Sequence, residues 1–160
     1  MTEPEYEREP TLLYLISPLD VDGDFPGRLA RALDAAPVAA FQFRVKDLDQ
    51  HEAARLAEPL QKICADREVA FIVNDSISLA KRIGADGVHL GQDDGSVEEA
   101  RKALGRDAQI GVTCHDSRHL AMEAGGGGGL RCLRRVLPDH HQGNQARRRA
   151  RPARMVAGHL

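Results

Sequence analysis

Short apolar runs alternate along the chain with segments whose apolar residues recur at helical spacing. The apolar runs predict five β-strands, over Leu12–Ser17, Val38–Val45, Ala70–Asp75, Gly87–Gln92 and Gln109–His115. The segments that follow them predict five helices, over Asp24–Ala35, Asp49–Glu68, Ser76–Gly84, Val97–Gly105 and Asp116–Gly125, with Asp24 and Ser76 as N-caps. This alternation predicts an α/β fold with a parallel sheet and crossover helices.

The second strand indicates which kind of parallel sheet is formed. In the stretch FQFRVK, the polar residues Gln42, Arg44 and Lys46 alternate with apolar ones, so one face of the strand is polar. A central strand of an open sheet would be apolar on both faces, because helices cover both. A barrel strand has helices outside only, and polar groups near its carboxyl end point into the mouth. The sequence therefore predicts a partial TIM (β/α)8 barrel of five βα units, over residues 11–125.

Composition limits the class of protein. A chain of 160 residues with 42% hydrophobic and 29% charged residues is typical of one globular domain. No apolar run approaches membrane-spanning length, so no membrane partner is expected. Residues 1–10 are acidic and contain proline, which predicts a disordered extension and not a signal or transit peptide. Cys64, Cys114 and Cys132 form no C-x-x-C pair, which favours a reduced, cytoplasmic chain.

Charged side chains follow the predicted strands, at the end of the sheet where parallel α/β folds place their sites. Asp75 and Asp94 follow successive strands, and strand neighbours lie about 5 Å apart, so the two carboxylates can share one cation. Mg²⁺ prefers one or two carboxylates together with phosphate oxygens. Arg44 and Lys46 are suited to phosphate oxygens. The pattern therefore predicts a Mg²⁺–diphosphate site.

Other polar residues at these strand ends have weaker implications. Gln42 and Asn74 carry amides that can fix the polar edges of a heterocycle. His115 and His119 lie four residues apart and suggest a metal site, but no third ligand follows them. The pair His140-His141 in the tail is a weaker indication of a metal site than His115 and His119.

Each of these charged residues also has a purely structural explanation. Asp75 could cap the following helix, and Asp93 and Asp94 could be ordinary loop acids. Arg44 and Lys46 could pair with acids on the barrel rim. The functional interpretation is favoured because every predicted strand end carries polar groups of the kind that this chemistry needs.

Three segments of the chain closely resemble thiamine-phosphate synthase: FQFRVKD, FIVNDSISLAKRIGADGVHLGQDD and IGVTCHDSRHLAMEAG. The resemblance covers about residues 11–125, and its most specific part is the ND…GADGVHLGQDD block. Members of that family are (β/α)8 barrels that join hydroxymethylpyrimidine diphosphate to a thiazole phosphate and release diphosphate with Mg²⁺. The resemblance implies a transferase of thiamine biosynthesis with Mg²⁺ as cofactor and these two substrates as partners.

The resemblance also implies roles for individual residues. The positions that match contacts to the pyrimidine diphosphate are Gln42, Arg44, Lys46, Asn74 and Thr113. Asp75 and Asp94 match the Mg²⁺ ligands. Lys46 and Thr113, a small hydroxyl on the fifth strand, are the catalytic candidates. The implied mechanism is dissociative, because cations stabilise the leaving diphosphate while a pyrimidine methylene cation forms and the thiazole nitrogen traps it.

The chain changes character after Ala124. Five glycines lead into residues 130–160, which hold eight Arg and one acid for a net charge of +7, whereas residues 1–129 carry −9. We expect residues 126–160 to be an irregular Gly/Arg-rich tail, where the family would have a sixth strand and a Thr-rich phosphate loop. Plausible codons for Gly128 to Leu160, read one base later, can encode that loop as PTTTK, which indicates a frameshift. A synthase truncated in this way is expected to be poorly active. The alternative to a frameshift is that residues 126–160 are a genuine disordered basic tail.

Three functions stay open at the level of sequence. The first is a synthase, for which no nucleic-acid partner is expected. The second is a thiazole tautomerase-like isomerase on the same barrel. The third is a non-catalytic fragment or a basic-tailed nucleic-acid binder. In an incomplete barrel, the exposed edges of the first and fifth strands would favour self-association.

Overall fold

The computed structural model describes residues 11–91, 93–113 and 130–132. Its strands are β1 (Leu13–Ile16), β2 (Val38–Phe43), β3 (Ala70–Asn74), β4 (Gly87–Leu90), β5 (Gln109–Thr113) and β6 (Leu130–Cys132). Its helices are α1 (Phe25–Ala35), α2 (Gln50–Ala65), α3 (Ile77–Ile83) and α4 (Val97–Leu104). None of the helices in these ranges is long and apolar enough to cross a membrane. The predicted helix Asp116–Gly125 and the pairs His115/His119 and His140-His141 lie outside the described residues.

All strand pairs are parallel, and the strands are hydrogen-bonded in the order of the sequence, from β1 to β6. Each helix packs against the next one along the chain, from α1 to α4. Parallel neighbours joined by right-handed crossovers place their helices on the same side of the sheet. The chain therefore forms a curled half-barrel, which confirms the predicted alternation of parallel strands and helices.

The hydrophobic core lies between the sheet and the helix layer. Phe41 and Phe43 of β2 are buried and pack on Phe71 of β3, with ring centroids 5.8 and 5.7 Å away. Leu60 of α2 is fully buried in the same cluster. Since side chains alternate across a strand, this outward placement of Phe41 and Phe43 turns Gln42 to the inner face.

The helix starts agree with the sequence in one predicted cap and differ in the other. The Ser76 hydroxyl accepts a hydrogen bond from the Leu79 N–H, so Ser76 is the N-cap of α3 as predicted. Asp24 occupies the N-cap position of α1, but its side chain makes no capping hydrogen bond. Asp49 caps α2 by accepting from the N–H groups of His51 and Glu52.

The prediction of an irregular tail from residue 126 is wrong at Leu130–Cys132. These residues form β6, which pairs in parallel with β5. The edge of a sheet presents unpaired N–H and C=O groups, which can pair with another extended segment whatever its side chains are. The apolar pattern of the sequence therefore did not indicate this strand. As a result β5 is not an edge of the sheet. Among the described strands, β1 has no neighbour on its outer side, and its Leu13 and Ile16 are 45% and 57% exposed.

Candidate active site

The carboxyl ends of β2 and β3 bring two amide side chains together on the inner face of the sheet. Gln42 is buried, with 4% of its surface exposed, and its Nε2 donates a hydrogen bond to Oδ1 of Asn74. The parallel register places Gln42 beside Ile72, two residues before Asn74, so the side chains lie on the same face. Each amide thereby fixes the orientation of the other.

Asp75 and Asp94 converge beside these amides. Asp75 directly follows β3, and its backbone N–H donates to the His89 carbonyl of β4 at 2.8 Å. Asp94 lies in the turn after β4, where its Oδ2 accepts from the Gly91 N–H at 2.8 Å. Partial burial and hydrogen-bonding contact with the Asp94 carboxyl raise the pKa of Asp75. The predicted convergence of these two carboxyls at neighbouring strand ends is therefore present.

The backbone of Asp75 does not fit a simple capping role. Its φ is +65°, in the left-handed region that non-glycine residues adopt rarely. The cap of α3 is the next residue, Ser76. Backbone strain of this kind is concentrated at functional sites.

Arg44 and Lys46 lie near the carboxyl pair. Both follow the last residue of β2, and Arg44 is partly buried whereas Lys46 is exposed. Asp94 raises the pKa of Asp75, whereas the positive charges of Lys46 and Arg44 lower it. The pKa of Asp75 is still raised overall. The described salt bridges do not include either cation. Both cations therefore act electrostatically on Asp75, although β2 ends before them and strand alternation does not place them.

A cavity of about 140 Å³ opens between the carboxyl ends of β2 and β3 and the starts of α2 and α3. Lys46, Asn74 and Asp75 line it, together with Gln50 and Ser76. A larger cavity of about 530 Å³ lies at the opposite end of the sheet, where its charged lining residues in the described part of the chain are acidic: Glu68, Asp86 and Asp107. Only the first cavity offers a cation for a phosphate group.

His89 is a site residue that the sequence analysis did not identify. It is 8% exposed on β4, and its Nε2 lies 2.8 Å from Oγ1 of Thr113 on β5. Gly111 is its partner in the register, and a Cβ at that position would come within 2.5 Å of Nδ1 of His89. The signal was present in the sequence, since the two-residue period puts His89 on the same face as Gly87 and Gly91, with room for a ring.

The proton arrangement of the His89–Thr113 pair follows from burial. Burial lowers the pKa of His89, so the ring is neutral near pH 7. Nδ1 has no hydrogen-bond partner among the described residues. A buried N–H without an acceptor is rarer than an unpaired acceptor, so we assign the proton to Nε2. His89 then donates to Thr113, whose own hydroxyl proton is free to donate towards the mouth.

We expect the stability of the protein to fall as the pH drops below about 6.5, the usual histidine pKa. A histidine whose folded pKa is lowered binds fewer protons in the folded state, so protonation favours the unfolded chain as the pH falls. Urea unfolding at intervals between pH 7.5 and pH 5 measures the effect. His89→Gln should flatten this part of the profile, and an unchanged slope in that variant would show that another group is responsible.

A family model described as thiamine monophosphate synthase matches residues 13–128. The chain belongs to this family. Thiamine-phosphate synthase from Erythrobacter litoralis is 76% identical over 121 residues, which are 74% of this chain and 57% of the relative. The synthase from Rhodospirillum centenum is 53% identical over 114 residues, covering 71% and 55%.

A solved structure supports the same family. Thiamine phosphate pyrophosphorylase from Pyrococcus furiosus superposes with a TM-score of 0.68 at 26% identity, covering 79% of this chain and 61% of that one. The chain spans little more than half the length of the curated relatives it matches. The match ends at residue 128, inside the Gly run that precedes the positively charged residues 130–160.

Proposed function

We propose that residues 11–113 carry the metal- and pyrimidine diphosphate-binding part of a Mg²⁺-dependent thiamine-phosphate synthase, a transferase that forms thiamine phosphate and diphosphate. The observation that carries this proposal is the convergence of Asp75 and Asp94 beside Arg44 and Lys46. Two acids and two cations at one mouth suit a metal-bound diphosphate, whose negative oxygens need both. We propose in addition that this 160-residue chain is a poor synthase, since its residues after 128 lie outside the match to the family.

The carboxyl pair fits a divalent cation. Without one, Asp75 is held partly buried against a second carboxyl, and this contact raises its pKa. A cation between the two would relieve that repulsion. No group of three or more His, Cys, Asp or Glu side chains in the described residues could hold a metal ion, so substrate oxygens would complete the coordination. Bound there, Mg²⁺ would neutralise charge on the departing diphosphate.

The two cations would act on the same diphosphate. Arg44 presents a planar fork of donors that can bind two phosphate oxygens at once, and Lys46 supplies a mobile point charge. In a dissociative reaction, negative charge builds up on the leaving diphosphate, so donors fixed at its oxygens stabilise the transition state more than the ground state. We assign Arg44 to binding and Lys46 to catalysis on this basis.

The amide pair would select the pyrimidine. Because Gln42 donates to Asn74 Oδ1, the groups that stay available are Gln42 Oε1, an acceptor, and Asn74 Nδ2, a donor. An aminopyrimidine offers the complementary pair, an amino donor next to a ring-nitrogen acceptor. The Thr113 hydroxyl, with its proton freed by His89, would donate to the reacting substrate from the neighbouring part of the mouth.

Calorimetric titration of the 160-residue chain with inorganic diphosphate, with and without Mg²⁺, tests this function. We expect binding that requires Mg²⁺, because the carboxyl pair repels diphosphate until a cation bridges them. A chain that binds diphosphate equally well without Mg²⁺ would contradict the proposal. Supplying the two organic substrates separately distinguishes the tautomerase-like alternative, since only a synthase consumes the pyrimidine diphosphate. The described residues show no feature that favours that isomerase or a nucleic-acid-binding function.

A further inference from the structure

We propose that Ser17 is a positioning residue for diphosphate binding, acting through the backbone of Arg44. This inference goes beyond the residues assigned above and rests on the proposed function. Ser17 follows the last residue of β1 and is 5% exposed. With Gln42 and His89, it is one of three buried polar residues in the described part of the chain, and the other two hydrogen-bond to Asn74 and Thr113.

The Ser17 side chain continues the sheet beyond the point where the strands stop pairing. The β1–β2 register ends at Ile16 opposite Gln42, and the Ser17 N–H donates to the Gln42 carbonyl at 2.9 Å. Arg44 lies past the end of β2. The Ser17 hydroxyl accepts from the Arg44 N–H at 2.8 Å.

The Ser17 hydroxyl also acts as a hydrogen-bond donor. It can donate to the Pro18 carbonyl at 2.8 Å or to the Arg44 carbonyl at 3.2 Å. One side chain therefore reaches both backbone groups of Arg44. Since the sheet holds Ser17 through Gln42, the Cα of Arg44 is fixed relative to the strand ends, and so is the start of its long side chain.

Removal of this hydroxyl should affect the anion and spare the metal. In Ser17→Ala the Arg44 N–H loses its acceptor, so the backbone of Arg44 is free to shift and its guanidinium no longer starts from one position. The backbone N–H of Asp75 is bonded to β4 and the Asp94 carboxyl accepts from the Gly91 N–H, and the hydrogen bonds of Ser17 described above involve neither residue. A loss of diphosphate affinity with unchanged Mg²⁺ affinity therefore separates positioning from a general loss of structure.

The experiment is calorimetry on the full 160-residue chain, first with Mg²⁺ alone and then with inorganic diphosphate at saturating Mg²⁺. We expect Ser17→Ala to bind diphosphate about tenfold more weakly, with the Mg²⁺ affinity unchanged. Ser17→Thr keeps the hydroxyl and should retain most of the affinity. Val69→Ala, which opens a small cavity at the far end of the sheet, is the matched destabilised control and should bind like the wild type.

A double-mutant cycle with Arg44→Ala identifies the route of the effect. If Ser17 acts through Arg44, adding Ser17→Ala to Arg44→Ala should change the diphosphate affinity no further. An equal loss in both backgrounds, or a Ser17→Ala affinity equal to that of the wild type, would overturn the inference while leaving the proposed function intact. A wild-type chain that binds no Mg²⁺–diphosphate would overturn both.

Discussion

Asp75→Asn should abolish Mg²⁺-dependent diphosphate binding and at the same time make the metal-free protein more stable. The binding loss should be at least roughly a hundredfold, because replacing even an outer partner of a metal ligand costs about 10–100-fold. The gain in stability follows from the raised pKa of Asp75, which arises from burial and the contact with Asp94. Asparagine removes the charge and also tolerates the left-handed backbone at this position.

The sign of the stability effect depends on pH. A carboxyl with a raised folded pKa destabilises the fold above that pKa and not below it, because the folded state binds the proton more readily. The variant should therefore melt on the order of 2 °C higher at pH 7, a modest figure because the site is partly exposed to solvent. The difference should vanish as the pH falls through the folded pKa of Asp75. Thermal melts across this range, with and without Mg²⁺, measure both effects.

Asp93→Asn is the matched control for this experiment. Asp93 is adjacent to Asp94 and exposed, and its neutralisation changes the net charge by the same amount. We expect it to leave the melting temperature and the diphosphate affinity unchanged. If Asp93→Asn reproduced either effect of Asp75→Asn, the cause would be the general negative field of the loop and not the carboxyl pair.

The parts of the site that could be predicted from sequence are those fixed by periodicity and by strand order. Alternation along β2 places Gln42 on the inner side, and consecutive parallel strands bring Asp75 near Asp94. Both deductions need only local patterns and the neighbour relation of successive strands. They hold in the structure, where Gln42 bonds to Asn74 and the two carboxyls are in contact.

Residues whose role depends on exact register were missed. His89 stands in the short run GVHL, where the two-residue period leaves room for a ring, but its contact with Thr113 appears only when Gly111 is placed opposite it. Ser17 looks like a turn residue before Pro18, and its importance appears only when the end of β2 lies beside it. The strand β6 has only three residues, too few for their alternation to indicate a strand, and it pairs with the edge that β5 offers.

The largest change in activity is expected when residues 125–160 are replaced. A chimera of residues 1–124 with the C-terminal part of the Erythrobacter litoralis synthase, which is 76% identical over the matched segment, should form thiamine phosphate at least about 10²–10³ times faster than the 160-residue chain. The family resemblance places further phosphate donors after the sixth strand, and the loss of one fixed donor alone costs on this order. A gene with the reading frame restored after Ala124 should behave like the chimera.

Two comparisons make this result interpretable. Asp75→Asn in the chimera should remove most of the gained rate, because the metal-binding half of the site would still come from this chain. A completed barrel pairs both edges of the sheet, so the chimera should expose less apolar surface on β1. We therefore expect the chimera to self-associate less than the 160-residue chain. Thiamine phosphate formation with Mg²⁺ and size-exclusion chromatography measure the two effects. Equal rates from the chimera and the 160-residue chain would show that residues 125–160 already supply every donor the reaction needs, and the proposal of a poorly active synthase would then be wrong.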